Sequence, residues 1–148
     1  MSIRSVVAGR ETYFVHAADT VRQVALYMSD RRIGAVAVLD GERVAGIVSE
    51  RDIMSKVVAK GLDPAATKVS AVMSRELLVA APDDSYQDAA RKMQQAGIRH
   101  LPVVEGDRLL GMISQRDLLQ VDLSAKDEEI RWLNAYIHFV PPGHEGSA

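Results

Sequence analysis

The side chains best suited to chemistry come in two matched sets. Ser49-Glu50-Arg51-Asp52 and Ser114-Gln115-Arg116-Asp117 each set a carboxylate three residues after a hydroxyl, next to an arginine. Read alone, that spacing is a helix capping box: the serine takes a backbone N–H, the acid reaches back, and nothing need be bound. A cationic pair, Arg99-His100, precedes the apolar run Leu101 to Val104. Arginine suits phosphate because its fork gives paired N–H bonds and it cannot lose its charge. The four histidines, His16, His100, His138 and His144, stand at no zinc-ligand spacing with one another or with an acid, so no metal site is expected. The sequence contains no Gly-x-x-x-x-Gly-Lys-Ser/Thr loop, no Gly-x-Gly-x-x-Gly turn and no Gly-x-Ser-x-Gly elbow. Nothing sets serine, histidine and aspartate in a triad, so no catalytic residue is assigned and a non-enzyme is expected.

Positioning such groups takes a folded body, and the composition supplies one. Of 148 residues, 47% are hydrophobic and 26% charged, which suits one compact domain or two small fused halves with an ordinary polar surface. The net charge of −2 offers no basic excess for a polyphosphate backbone, which disfavours nucleic acid as a partner. The absence of cysteine excludes disulfides, thiolate metal sites and a cysteine nucleophile, and fits a reducing compartment. The first residues carry no apolar signal core, and no apolar run approaches the ~20 residues that span a bilayer. A cytoplasmic protein without a membrane partner is expected.

The two sets are parts of one internal repeat. Shifted by 65 residues, Thr20–Met28 overlies Ser85–Met93, and Asp40–Asp52 overlies Glu105–Asp117, with no gap between Asp19 and Met54. Each repeat opens with a short extended segment, Thr12–His16 or Leu77–Ala80. A helix follows, capped by Asp19-Thr20 or Asp84-Ser85 and marked by Val21, Val24, Ala25, Met28 or by Tyr86, Ala89, Ala90, Met93. Gly97 fits a left-handed cap that stops the second of these helices. Two strands joined at Asp40-Gly41 (Ala35–Leu39, Arg43–Val48) or Glu105-Gly106 (His100–Val104, Arg108–Ile113) come next, and a last helix starts at Ser49 or Ser114. Each half's sheet is too small to bury both faces alone, so the halves should pack through their sheets about a pseudo-two-fold axis. Gly61-Leu62-Asp63-Pro64 ends the first repeat's last helix, and Lys68–Ser74 reads as a short helical turn. Repeat one is assigned to residues 1–66 with its lead-in and linker, repeat two to 67–122, and a helix over Ser124–Phe139 with a flexible end to 123–148.

With the doubled Gly-h-h-Ser-x-x-Asp motif, Gly46-Ile47-Val48-Ser49-Glu50-Arg51-Asp52 and Gly111-Met112-Ile113-Ser114-Gln115-Arg116-Asp117, and with Ile98-Arg99-His100-Leu101-Pro102-Val103-Val104, the chain resembles a tandem pair of CBS (cystathionine beta-synthase) domains, a Bateman module, over about residues 5 to 122. The resemblance implies an α/β fold of two β-α-β-β-α repeats and a stand-alone, non-catalytic sensor of the bacterial and archaeal type. Its clefts would take an adenine nucleotide (AMP, ADP, ATP or NAD(H)) and no catalytic cofactor, and the module would pair as a homodimer. In this reading Asp52 and Asp117, with Ser49 and Ser114, hold ribose hydroxyls; a carboxylate accepting two hydrogens from a vicinal diol makes two charge-assisted bonds. The resemblance brings the residues before the strand of one repeat to the phosphate held against the other. Arg99, His100 and Arg116 would then serve the Asp52 cleft, while the Asp117 cleft meets Gly34 and Ala35 and has only Arg51 for a cation. One stronger and one weaker site are expected, or one site wide enough for a dinucleotide. Ile33, Gly34, Ala35, Ile47, Val48, Ile98, Pro102 and Ile113 are candidates for an adenine slot, which needs a flat apolar surface more than any special side chain, and most of them also suit a plain core. Lys56 and Lys60, further along the helix, read as exposed helix lysines.

The tail's apolar face, Ile130, Leu133, Ile137 and Val140, widened by Trp132, Tyr136 and Phe139 and ended by Pro141-Pro142-Gly143, should pack on the chain's own body or across a homodimer. Two rival readings are a ligand-free interaction scaffold, in which the tetrads only cap helices, and an enzyme acting on a nucleotide.

Overall fold

A computed structural model describes residues 2–137, with side chains to residue 135; His138, Phe139, Val140, the Pro141-Pro142-Gly143 stop and His144 lie outside the described residues, as do the side chains of Tyr136 and Ile137. The chain forms two units, one reaching to Gln115 and one beginning at Arg116.

In the first unit the elements run α1 (Ile3–Val7), β1 (Phe14–His16), α2 (Val21–Arg31), β2 (Ala35–Asp40), β3 (Arg43–Ser49), α3 (Glu50–Ile53, continued by a π-helical stretch Met54–Val58), a 3-10 turn (Val69–Ala71), α4 (Tyr86–Ala96), β4 (His100–Glu105) and β5 (Arg108–Ser114). The sheets are β1-β2-β3, with β1 parallel to β2, and the antiparallel pair β4-β5. The hairpins turn at Gly41 and Gly106, which hold φ near +65° and +62°, a conformation that costs glycine nothing. Thr20 and Ser85 cap α2 and α4 through complete capping boxes with Gln23 and Asp88. Both helices end in a left-handed residue whose successor bonds back to the last turn: Arg32 before Ile33, and Gly97 before Ile98.

The expected strand Leu77–Ala80 is reduced to one parallel bridge, Ala80 to Val103. Proline is the reason. In repeat one Ala17 N–H donates to Leu39 O beyond the end of β1, and the equivalent of Ala17 is Pro82, which has no N–H. On the facing strand the carbonyl of Pro102 takes Ala80 N–H, so the N–H that Pro102 lacks would have faced the same edge.

Each lead-in packs on the other repeat. Val69, Val72 and Met73 join the core of repeat one with Val15, Val21, Val24, Met28, Val36, Val38, Val48 and Val57, and Ser74 pairs with Ile47 at the edge of β3. Reciprocally, Ile3 N–H bonds Asp84 O, Arg4 N–H bonds Pro82 O, and Thr12 Oγ1 donates to Leu110 O of β5. Two equivalent glycines admit these segments: a Cβ on Gly46 would stand 2.6 Å from Met73 Sδ and 2.8 Å from Ser74 O, and one on Gly111 would stand 3.3 Å from Val7 Cβ. Between the sheets, Ala37, Leu39 and Val44 form a small buried cluster contacted by Leu77, Val104, Leu109 and Met112. Burial of the larger of these side chains, Leu39 and Val44, contributes about 1.5–3 kcal/mol each to holding the two sheets together.

The second unit is helical. α5 runs from Gln115 to Ile137, so no break separates the last helix of repeat two from the expected tail helix at Ser124. No glycine or proline stands between Gln115 and Val140 to interrupt it.

Candidate functional site

β2 and β3 pair so that Ala35 lies opposite Ser49, and β4 and β5 so that His100 lies opposite Ser114. The start of each first hairpin strand is thereby held beside the tetrad serine of the same repeat. Two equivalent bonds seal the arrangement, Glu50 N–H to Gly34 O and Gln115 N–H to Arg99 O.

Around Asp52 the tetrad is a closed capping box. Asp52 Oδ2 accepts from the Ser49 amide at 2.9 Å and from Ser49 Oγ at 3.1 Å, while Ser49 Oγ accepts from the Asp52 amide at 3.2 Å. Asp52 Oδ1 faces Lys56 Nζ at 3.2 Å, and the same ammonium donates to Val72 O at 3.1 Å. The Asp52 side chain keeps 20% of its surface open. A carboxylate has about four lone-pair positions. Three carry the contacts just named, which leaves acceptor capacity on Oδ1. Lys56 therefore does more than the exposed helix lysine expected of it, although 43% of its side chain remains open. An Asp–Lys pair at i,i+4 was the available signal.

Repeat two approaches Gly34 and Glu50 through His100. A Cβ on Gly34 would lie 3.8 Å from His100 Cε1 and 3.3 Å from Glu50 Oε1, so His100, Gly34 and Glu50 share one spot. Glu50 was not singled out from the sequence. Its only signal was its place inside the tetrad, where it looked like a first-turn acid of a helix.

Arg99 and Arg51 are exposed. Of the slot candidates, Ala35, Val48, Pro102 and Ile113 are buried, while Ile33, Gly34 and Ile47 are half-buried and Ile98 is exposed. In the second unit Arg116 is exposed and Asp117 half-buried in the first turn of α5. Among the described residues no three His, Cys, Asp or Glu side chains cluster as metal ligands, and no helix is long and apolar enough to cross a membrane.

With this geometry in hand, the known proteins decide the family. The model of the CBS domain matches the chain twice, over residues 3–59 and 69–124. The chain belongs to the CBS-domain family. Its relatives include the CBS domain-containing protein YhcV of Bacillus subtilis, 36% identical over 100 residues that cover 68% of this chain and 71% of YhcV. Another is the mitochondrial CBS domain-containing protein CBSX3 of Arabidopsis thaliana, 32% identical over 80% of this chain; the match spans only 60% of that relative's length. Among solved structures, a putative signal-transduction protein with CBS domains from Burkholderia ambifaria superposes with a TM-score of 0.79 at 32% identity, covering 84% of this chain and 95% of that one. The CBS pair of protein MJ0100, solved with 5-methylthioadenosine and S-adenosylmethionine, gives a TM-score of 0.76 at 19% identity and covers 84% of this chain and 98% of that one. A hexameric CBS-CP12 protein from bloom-forming cyanobacteria gives 0.72 at 25% identity and covers 96% of this chain and 87% of its own.

Proposed function

We propose that this CBS pair is a regulatory module that binds an adenine nucleotide where the two repeats meet and transforms nothing. The observation that carries the reading is the approach of His100, from repeat two, to Gly34 and Glu50 of repeat one. In the proposed complex Asp52 accepts the ribose hydroxyls on its remaining acceptor capacity, Ser49 holds the carboxylate in place, and Arg99 and His100 take the phosphate. Ile33, Gly34, Ile47 and Ile98, which are not closed into the core, border the base. The buried Ala35, Val48, Pro102 and Ile113 back that surface, and Ser114 and Arg51 are assigned to the weaker equivalent site. That the fold can hold an adenosine-bearing ligand is supported by the MJ0100 pair. Self-association of this chain is part of the proposal, in line with the hexameric CBS-CP12 relative.

Glu50 sharpens the ligand's identity. A carboxylate beside His100 opposes additional negative charge, so AMP should bind more tightly than ADP, and ADP more tightly than ATP. Regulation further requires that the ligand prefer one arrangement of the repeats, because equal affinity for both arrangements shifts nothing.

Isothermal titration of nucleotide-stripped protein with AMP, ADP, ATP, NADH and S-adenosylmethionine tests this. Asp52→Ala and Arg99→Ala should each weaken AMP binding by about 1.5–3 kcal/mol, the value of a hydrogen bond to a charged group. Glu50→Gln should narrow the gap between AMP and ATP. Absence of heat with every ligand would leave the tetrads as helix caps and favour the scaffold reading.

A further inference from the structure

Lys56 ties the tetrad of repeat one to the segment that crosses into repeat two. Its ammonium stands 3.2 Å from Asp52 Oδ1 and donates at 3.1 Å to Val72 O, the carbonyl just past the 3-10 turn Val69–Ala71. A lysine in that place caps the end of a helical turn. Immediately beyond, Met73 packs in the core of repeat one and Ser74 exchanges both backbone bonds with Ile47 of β3. The helix that carries Lys56 leaves α-helical register here, because Ala59 N–H bonds Met54 O, five residues back. Single π turns of this kind are frequent at functional sites. Sixty-five residues on stands Val121, whose side chain cannot donate, so the arrangement is particular to repeat one.

On the reading that this cleft binds a nucleotide, we propose that Lys56 is a latch: with the cleft empty it holds Asp52 and the lead-in of repeat two together, and a ribose diol releases it. Acceptor positions decide this. Ser49 takes Asp52 Oδ2 twice and Lys56 takes Oδ1 once, out of the four or so positions a carboxylate offers. A vicinal diol donates two hydrogens, so a grip on both hydroxyls requires one present donor to leave. Ser49 is fixed by the capping box, whereas Lys56 is 43% open and holds the oxygen outside that box. Lys56 is the donor that yields. A single bond to a neutral carbonyl does not hold a half-exposed ammonium against its strong hydration, so Val72 O is given up as well. The segment from Val69 to Ser74 then has one tie fewer to repeat one. Occupancy of the cleft is thereby passed to the stretch of chain that joins the repeats.

Isothermal titration of the full chain with AMP and with 2′-deoxyAMP, whose single sugar hydroxyl fits the position already open, tests the latch together with amide exchange at Met73 and Ser74. Lys60→Met is the charge control, since Lys60 is exposed just beyond the π-helical stretch. Lys56→Met should raise the preference for AMP over 2′-deoxyAMP by about three- to fivefold, the order of a half-exposed ion pair. Both ligands carry the same phosphate, so any loss of long-range attraction cancels in that ratio. Lys60→Met should keep the parent's preference. In the parent, AMP should speed exchange at Met73 and Ser74 and saturating 2′-deoxyAMP should not, while Lys56→Met should exchange fast with or without AMP. A preference unchanged in Lys56→Met, or AMP that binds the parent and leaves its exchange unaltered, would overturn the latch. AMP that binds neither protein would overturn the nucleotide reading, and the release with it, while fast exchange in ligand-free Lys56→Met would still show the tie to the lead-in.

Discussion

The two repeats of this CBS pair solve the same structural problems with different chemistry. Where Tyr27 of α2 accepts Phe14 N–H at 3.3 Å through its hydroxyl, the equivalent Lys92 of α4 donates to Val79 O at 2.9 Å, so donor and acceptor are exchanged. Tyr27 also stacks under Arg31, 3.6 Å from the ring centroid, whereas Lys92 pairs with Asp84 at 3.2 Å. The residue that ends α2 in the left-handed region is Arg32, and the one that ends α4 is Gly97. The helix after the tetrad turns into a π-helical stretch in repeat one and runs on as an α-helix in repeat two. A duplicated fold preserves the position at which a bond is required more strictly than the groups that make it. The asymmetry extends to the candidate site: Gly34-Ala35 stand where Arg99-His100 stand, so equivalent positions carry different groups.

The largest test of the comparison is Gly46→Ala against Gly111→Ala. A methyl on Gly46 meets a backbone carbonyl, Ser74 O, that is held by its own strand bonds, and should cost about 2–3 kcal/mol. On Gly111 it meets only the side chain of Val7 at 3.3 Å, and about 1 kcal/mol or less is expected. Urea unfolding of both variants reads the difference, and equal midpoints would mean that the two lead-ins are held with equal slack.

Smaller, and opposite in sign, is the cap exchange. Arg32→Gly should stabilise by about 0.5–1 kcal/mol, because a left-handed non-glycine residue costs roughly 1–2 kcal/mol and glycine returns part of the gain in chain entropy. Gly97→Ala should destabilise by about 1 kcal/mol, and the two melting temperatures should move in opposite directions.

The smallest effect separates the two capping boxes by pH. Ser85 hydrogen-bonds the Asp88 carboxylate through its side chain and backbone and holds the acid below its ordinary range, while the equivalent Gln23 cannot titrate. A carboxyl whose folded value is depressed contributes its full stability above the unfolded value and loses it as pH falls through the folded one. Acidification should therefore loosen the start of α4 before that of α2. Amide exchange at Ala89 against Val24 measures this, and Asp88→Gln should abolish the difference.

Much of this fold is legible in the sequence because its signals are local. Gly41, Gly106, Thr20, Ser85 and Gly97 each act on their own few residues, and the 65-residue offset transfers the capped helix and the hairpin from one half to the other. Ala80 shows where local reading fails: the run Leu77–Ala80 looks extended, but the number of bonds it makes depends on Pro82 and on Pro102, which stands on another strand. The exchange of lead-ins has no local signature, since Val69 and Val72 look like ordinary core residues of whichever half contains them. At the candidate site the tetrads and Arg99-His100 stand out by repetition and type. Glu50 and Lys56 do not, because their importance comes from what the fold sets beside them, His100 in one case and Val72 O in the other.

Because each lead-in completes the other half, the protein cannot be finished in order as it leaves the ribosome. Repeat one lacks part of its core until Met73 has been translated, and residues 3–12 must wait, undocked, until β5 exists to receive them. With elongation at roughly 5–20 residues per second, that interval lasts several seconds. A nascent chain stalled near residue 66 would expose two unfinished edges and would be a natural client for a chaperone.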